Sequence, residues 1–223
     1  MGELNCLFEK YDRLFLFDTE TTGLQYNRDE IIEFAAVVLE RKDGKVIVTE
    51  EYDELISLSP CGFVPPQIEQ LTGITNQDLR EKGIPKTRLC SDIARMLTPK
   101  TLLLAYNAHF DLSFLFYLLL RDGDPAILKG KDKLDLLTVY QDRRSYPHRL
   151  ESAIEAYGLT GKVVNSHRAV DDCVATVAVM EEMEKEKRKQ KLNTAIMYWI
   201  SILKNLQNSP PAFTQKWINM WLL

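Results

Sequence analysis

Apolar and polar positions divide this chain into alternating strand and helix segments. Residues 14–17 (LFLF) form an unbroken apolar run, the pattern of a strand buried on both faces. Residues 30–39 (EIIEFAAVVL), rich in branched and aromatic side chains, predict a second strand, within which Glu33 reads as a hydrogen-bonded structural acid. Asp43-Gly44 follows as a strong hairpin signal, and residues 46–48, running on towards 52, return as a third strand. A three-stranded antiparallel meander is expected. Pro60, Gly62, Pro65 and Pro66 make 58–66 a loop, after which 67–71 can form a short helix closed by Thr72-Gly73. Another helical turn starts at Thr75-Asn76-Gln77-Asp78. Leu89, Ile93, Met96 and Leu97 then give 84–97 helical spacing, with Pro85 suited to its first turn.

Residues 101–105 (TLLLA) read as a further buried strand. It breaks at 106–111, and an apolar helix over 112–120 ends at Asp122-Gly123. Residues 134–137 predict a fifth strand, and 149–157 a helix stopped by Gly158. The segment 165–172 opens a long helix whose first turns, 169–180, are apolar nearly all round and so predict burial. From 181 the pattern turns charged, and its mixed acids and bases describe a solvated helix face rather than a nucleic-acid patch. The order of elements implies an α/β layer fold with a mixed sheet. The expected division is a first domain over 1–190 and a C-terminal helical extension over 191–223.

Composition narrows the class. With 223 residues, 45% hydrophobic and 27% charged, the chain has the make-up of a soluble globular protein. Its net charge of −4 supplies no overall basic field to draw in nucleic acid, but does not exclude an enzyme that meets phosphates through bound metal ions. Four widely spaced cysteines without a CxxC pair argue against a zinc site and a disulfide framework, and fit a reducing cytoplasm. No secretory leader is expected. The most apolar window, 102–120, contains Asn107, His109 and Asp111, so no membrane span is expected either.

Candidate chemistry sits where the apolar runs end. Asp18 and Glu20 follow the first strand at i, i+2, which points both carboxylates the same way. Asp111 begins the helix after residues 101–105, with His109, read as structural, beside it; His167 and Asp171/Asp172 enter the long helix. Periodicity does not choose between Asp171 and Asp172. Strand ends of an α/β sheet converge on a cleft, so these groups can meet. Hard oxygen ligands without thiolate suit Mg²⁺ or Mn²⁺, and such a cluster matches two-metal phosphodiester hydrolysis, with an imidazole able to take a water's proton near neutral pH.

Three stretches carry a resemblance: Phe17-Asp18-Thr19-Glu20-Thr21-Thr22-Gly23-Leu24, Tyr106-Asn107-Ala108-His109-Phe110-Asp111, and His167-Arg168-Ala169-Val170-Asp171-Asp172. In order, and with the closing His-x4-Asp, they resemble the exonuclease motifs of the DEDDh family, over about residues 14–180. That family includes the proofreading subunit of bacterial replicative polymerase, RNase T and oligoribonuclease. Gln70-Leu71-Thr72-Gly73-Ile74-Thr75 is similar to a stretch of the proofreading branch. The resemblance implies an RNase H-like fold with a mixed five-stranded sheet flanked by helices, two divalent cations, and 3′→5′ removal of mononucleotides. It implies Asp18, Glu20, Asp111 and Asp172 as metal ligands and His167 as general base, choosing Asp172 over Asp171 by the His-x4-Asp spacing. Thr21, Gly23, Leu24, Asn107 and Phe110 would cradle the 3′-terminal nucleotide. The implied substrate is nucleic acid with a free 3′ end, DNA in preference to RNA; an exoribonuclease and a non-catalytic polymerase-docking module are the alternatives.

The tail lies outside this resemblance. After Ser209-Pro210-Pro211, residues Phe213, Trp217, Met220 and Trp221 fall on one face of a short helix. The expectation is that this face packs on the stripe formed by Leu192, Ile196, Trp199, Leu203 and Leu206; docking on a polymerase subunit is the alternative.

Overall fold

The computed structural model describes residues 7–164 and 166–187. Five strands form one mixed sheet: β1 (Arg13–Thr21), β2 (Ile31–Lys42), β3 (Lys45–Leu55), β4 (Thr101–Ala105) and β5 (Lys133–Asp135), in the order β3-β2-β1-β4-β5. The expected meander is present: β2 pairs antiparallel with both β1 and β3, and Asp43 (φ 51°) and Gly44 (φ 75°) form the left-handed turn between β2 and β3. β4 pairs parallel with β1, and β5 parallel with β4.

Side-chain alternation on the central strands builds two cores. Leu14 and Leu16 point with Ala35, Val37 and Leu39 to the face covered by Ala169, Cys173 and Met180 of the long helix. Phe15, Phe17 and Phe34 point to the other face, with ring centroids 5.6 Å (Phe15–Phe17) and 5.8 Å (Phe17–Phe34) apart. The helices are α1 (Pro66–Thr72), α2 (Asn76–Lys82), α3 (Lys86–Met96), α4 (Ala108–Asp122), α5 (Leu136–Arg143), α6 (Leu150–Ala156) and α7 (Ala169–Lys187). A capping box between Thr75 and Asp78 starts α2, and Gly73 (φ 72°) closes α1.

Four expectations need correction. α3 begins at Lys86 rather than at Ile84, because Ile84 is taken up in a β-bridge with Ile56, leaving Pro85 as N-cap. α4 begins at Ala108 rather than at Leu112, so the break after β4 is only a left-handed turn at Asn107 (φ 73°). β5 stops at Asp135, whose carboxylate caps Leu137 and starts the unforeseen α5. α7 is not buried all round: Val174 is 46% exposed.

The unit carrying the sheet runs to Met183. The expected extension over 191–223 and the tail helix within it lie outside the described residues. No described helix is long and apolar enough to cross a membrane.

Candidate active site

The parallel strands end together. The last β1–β4 pair is Leu16 with Leu104, so β1 runs on past β4 and carries Asp18 and Glu20 beside the turn that starts α4. This is the crevice at the carboxyl ends of strands expected of an α/β sheet. The β1–β2 register is Asp18 with Ala35 and Glu20 with Glu33, then slips at Thr21, which faces Ile31. The bulge lies directly beside the acids.

Asp18 and Glu20 share the face covered by α7, and α7 brings Asp172 to them. Oxygens of Asp18, Glu20 and Asp172 all lie within 4.8 Å of one another. Asp172 Oδ1 is buried and has no hydrogen-bond partner among the described residues. Burial, then the charges of Asp111, Asp172, Glu20 and Glu33, pushes the Asp18 carboxyl well above the usual carboxylate range. Glu20 is pushed up to about 8 by burial and then by Asp172, Glu33 and Asp111. Asp172 is pushed up to about 7 by burial, Asp171 and Glu33. Three acids held together at this cost form a site shaped for positive charge.

Asp111 stands outside the 4.8 Å group, yet close enough for its charge to act on Asp18. The first turn of α4 carries it, buried, to Thr19, whose backbone N–H (3.0 Å) and hydroxyl (2.8 Å) both donate to its Oδ1. Burial raises its pKa, and those hydrogen bonds oppose the rise. His167 is exposed in the approach to α7, in the left-handed region at φ 56°. Sequence order placed these five groups on neighbouring elements; the structure brings three acids into one group and sets Asp111 against it.

The nucleotide-cradle candidates lie on two segments: Thr21, Gly23 and Leu24 directly after Glu20, and Asn107 and Phe110 in the turn before Asp111. Thr21 is buried and its hydroxyl donates to the Gly23 carbonyl (2.6 Å). A Cβ on Gly23 would stand 2.5 Å from the Asp29 carboxylate, so a side chain there would have to displace it. Leu24 is 81% exposed. Asn107 donates its backbone N–H to Asp135 Oδ1 (3.0 Å), and Phe110 packs at 4.9 Å on Phe114. A separate cleft of about 600 Å³, lined by Phe63, Val64, Pro66, Glu69, Gln70 and Asn76, includes none of the clustered acids.

Sequence reasoning missed the groups that hold these residues in place. Thr19 fixes Asp111, and Asp135 fixes both Asn107 and the start of α5. Glu30 accepts from the Ser59 amide (3.0 Å) and from Lys86, and its carbonyl accepts from the Thr22 amide, tying the 58–66 loop to the end of β1 just ahead of β2. Thr19 sits inside the first motif and Asp135 has the form of an N-cap; only those local signals were available.

An exonuclease family profile, named for RNase T, matches residues 15–180. DNA polymerase III subunit epsilon of Treponema pallidum (strain Nichols) is 33% identical over 179 residues, covering 78% of this chain and 77% of its own length. The 3′-5′ exonuclease DinG of Bacillus subtilis (strain 168) is 33% identical over 165 residues, 66% of this chain but 17% of DinG. Exonuclease I of E. coli, in complex with a dT13 oligonucleotide, superposes with a TM-score of 0.69 at 25% identity, over 80% of this chain and 42% of its own. The chain thus spans most of the epsilon subunit and less than half of the other two.

Proposed function

The chain belongs to the exonuclease family named for RNase T and is a 3′→5′ exonuclease with the RNase H-like fold; from that premise we propose that it releases nucleoside 5′-monophosphates from free 3′ ends, DNA in preference to RNA. The observation that carries this reading is the group formed by Asp18, Glu20 and Asp172, with its orphaned buried oxygen. A divalent cation fits it: the donors are hard carboxylate oxygens, and a cation would offset the burial and the neighbouring negative charges that raise their pKa values. We take Asp18, Glu20, Asp111 and Asp172 to hold two such ions, Mg²⁺ or Mn²⁺. When bound, these ions would supply the positive charge that stabilises attacking and leaving oxygens in phosphodiester hydrolysis.

The chain's own groups do the rest. His167, exposed at the mouth of α7, accepts the proton of the attacking water at a ring nitrogen. Leu24 and Phe110 offer apolar surface to the terminal nucleotide, and Gly23, having no side chain, lets the Asp29 carboxylate pack against the turn that presents Leu24. Thr21 braces that turn through Gly23, and Asn107 is held at the start of α4 by Asp135. DNA is favoured because the epsilon relative is a DNA polymerase subunit and the exonuclease I neighbour was solved with a deoxyoligonucleotide.

The test is a product ladder from 5′-labelled single-stranded DNA, duplex DNA and RNA, each with Mg²⁺ or Mn²⁺. Shortening from the 3′ end should be fastest on DNA, require the divalent ion, and vanish in Asp18→Ala. Faster loss of RNA would move the substrate to RNA; metal binding without turnover would leave a docking module.

The name of the epsilon relative supports action beside a polymerase, and the free Cys61, Cys90 and Cys173 are compatible with a reducing compartment such as the cytoplasm. Residues 191–223 are proposed as a helical extension that packs on itself, with docking on that polymerase as the alternative.

A further inference from the structure

Glu33 is the one acid of β2's buried run, and it is fully buried. Both its oxygens are used. Arg168 Nε donates to Oε1 (2.7 Å), joined by Arg168 Nη2, and the Ala169 backbone N–H donates to Oε2 (2.8 Å). Ala169 is the first residue of α7, so an orphan donor of that helix end is capped by a carboxylate 136 residues away rather than by a local side chain. The Arg168 carbonyl in turn accepts from the Asp172 amide (3.1 Å), which begins the helix's own hydrogen bonding.

The rungs of the sheet make this anchorage specific. Glu33 faces Glu20, and Ala35 faces Asp18. Ala35 is itself tied to α7, because Cys173 Sγ donates to its carbonyl (3.6 Å). Two successive same-face rungs therefore carry a cluster acid on β1 and an anchor for α7 on β2. The same anchorage borders His167: Arg168 is held by Glu33 on one side, and Ser166 donates to the Asp171 carboxylate on the other. A left-handed, non-glycine residue fixed between two such ties is positioned by them.

We propose that Glu33 is the positioning residue of the site: through Arg168 and the Ala169 amide it sets His167 and Asp172 against the rung that carries Glu20. This rests on the metal-dependent hydrolysis proposed above. Glu33 spends its hydrogen bonds on Arg168 and Ala169 rather than on the clustered acids, and beside that geometry its charge adds to the field that raises Asp18, Glu20 and Asp172.

Glu33→Gln tests this with least disturbance. Glutamine keeps the shape but has one acceptor oxygen, so the three donors now sharing two carboxylate oxygens cannot all be met. Mn²⁺ binding by calorimetry and turnover on single-stranded DNA are measured together. Outer partners of a metal site are worth roughly 10–100-fold in affinity or activity. Glu33→Gln should lose that much in Mn²⁺ affinity or kcat, with KM for the oligonucleotide within about twofold. Glu33→Gln combined with Arg168→Gln should be no worse than the poorer single variant, as for two residues acting as one unit. Leu39→Ala, in the same core but away from the acids, controls for loss of stability: it should lower the melting temperature and leave the Mn²⁺ requirement unchanged. Wild-type Mn²⁺ affinity and kcat in Glu33→Gln would overturn the proposal, as would a Leu39→Ala variant showing the same Mn²⁺ defect. Either result, with Asp18→Ala inactive, spares the proposed function; an active Asp18→Ala would remove it.

Discussion

At the scale of single residues, the site divides into groups whose loss should read differently. Asp18, Glu20 and Asp172 repel one another, and removing one should abolish metal-dependent turnover without harming the metal-free fold. His167 is exposed and outside that group, so its loss should spare metal binding. His167→Ala should lower kcat by roughly 10²–10⁴-fold, the usual worth of a positioned proton transfer, with Mn²⁺ affinity close to wild type. Steady-state kinetics beside calorimetry checks this; loss of Mn²⁺ binding in His167→Ala would make the histidine a ligand or a fold element.

At the scale of elements, Asp135 shows what was legible in the sequence and what was not. Local signals were readable: the apolar run of β1, the Asp43-Gly44 turn, the three motifs and the Thr75–Asp78 cap depend on neighbours a few residues apart. Leu134-Asp135-Leu136-Leu137 reads as a short strand, yet Asp135 ends β5 and starts α5. The same Oδ1 takes the Asn107 amide, 28 residues away, which lets α4 begin at Ala108 and brings Asp111 to Thr19. Glu33 was readable as a bonded acid, but its partners, Arg168 and Ala169, meet it only across the fold. Long-range hydrogen bonds of this kind leave no period in the chain. Asp135→Ala should therefore cost about 0.5–2 kcal/mol of stability, the range for a lost cap. Urea unfolding measures it, and activity should fall with it because α4 carries Asp111. An unchanged midpoint would mean water replaces the carboxylate at both amides.

At the scale of the whole molecule, the acid cluster should govern how stability follows pH. Glu20 and Asp172, pushed up to about 8 and about 7, bind protons more tightly folded than unfolded. Their contribution is present at acid pH and is lost as pH rises from the unfolded carboxylate range through those values. In chelator, the melting temperature should fall between about pH 5 and pH 8, each kcal/mol moving it by about 2–4 °C. Lys133, its amine depressed to about 8 by burial, works in the opposite direction only above that window. A melting temperature that rises across the window would contradict the cluster's electrostatics. Deleting 211–223 addresses the other end of the chain. If that segment packs on 192–206, the truncated protein should lose stability or solubility along with activity; if it is a docking element, the protein should stay active and lose only a polymerase partner. The most direct measurement is Mn²⁺ binding to wild type and Asp18→Asn by calorimetry at about pH 8, where protons compete less for Glu20 and Asp172 than at neutral or acid pH. Wild type should take up two ions per chain and Asp18→Asn should lose at least one; equal stoichiometry and affinity in the two proteins would contradict the site.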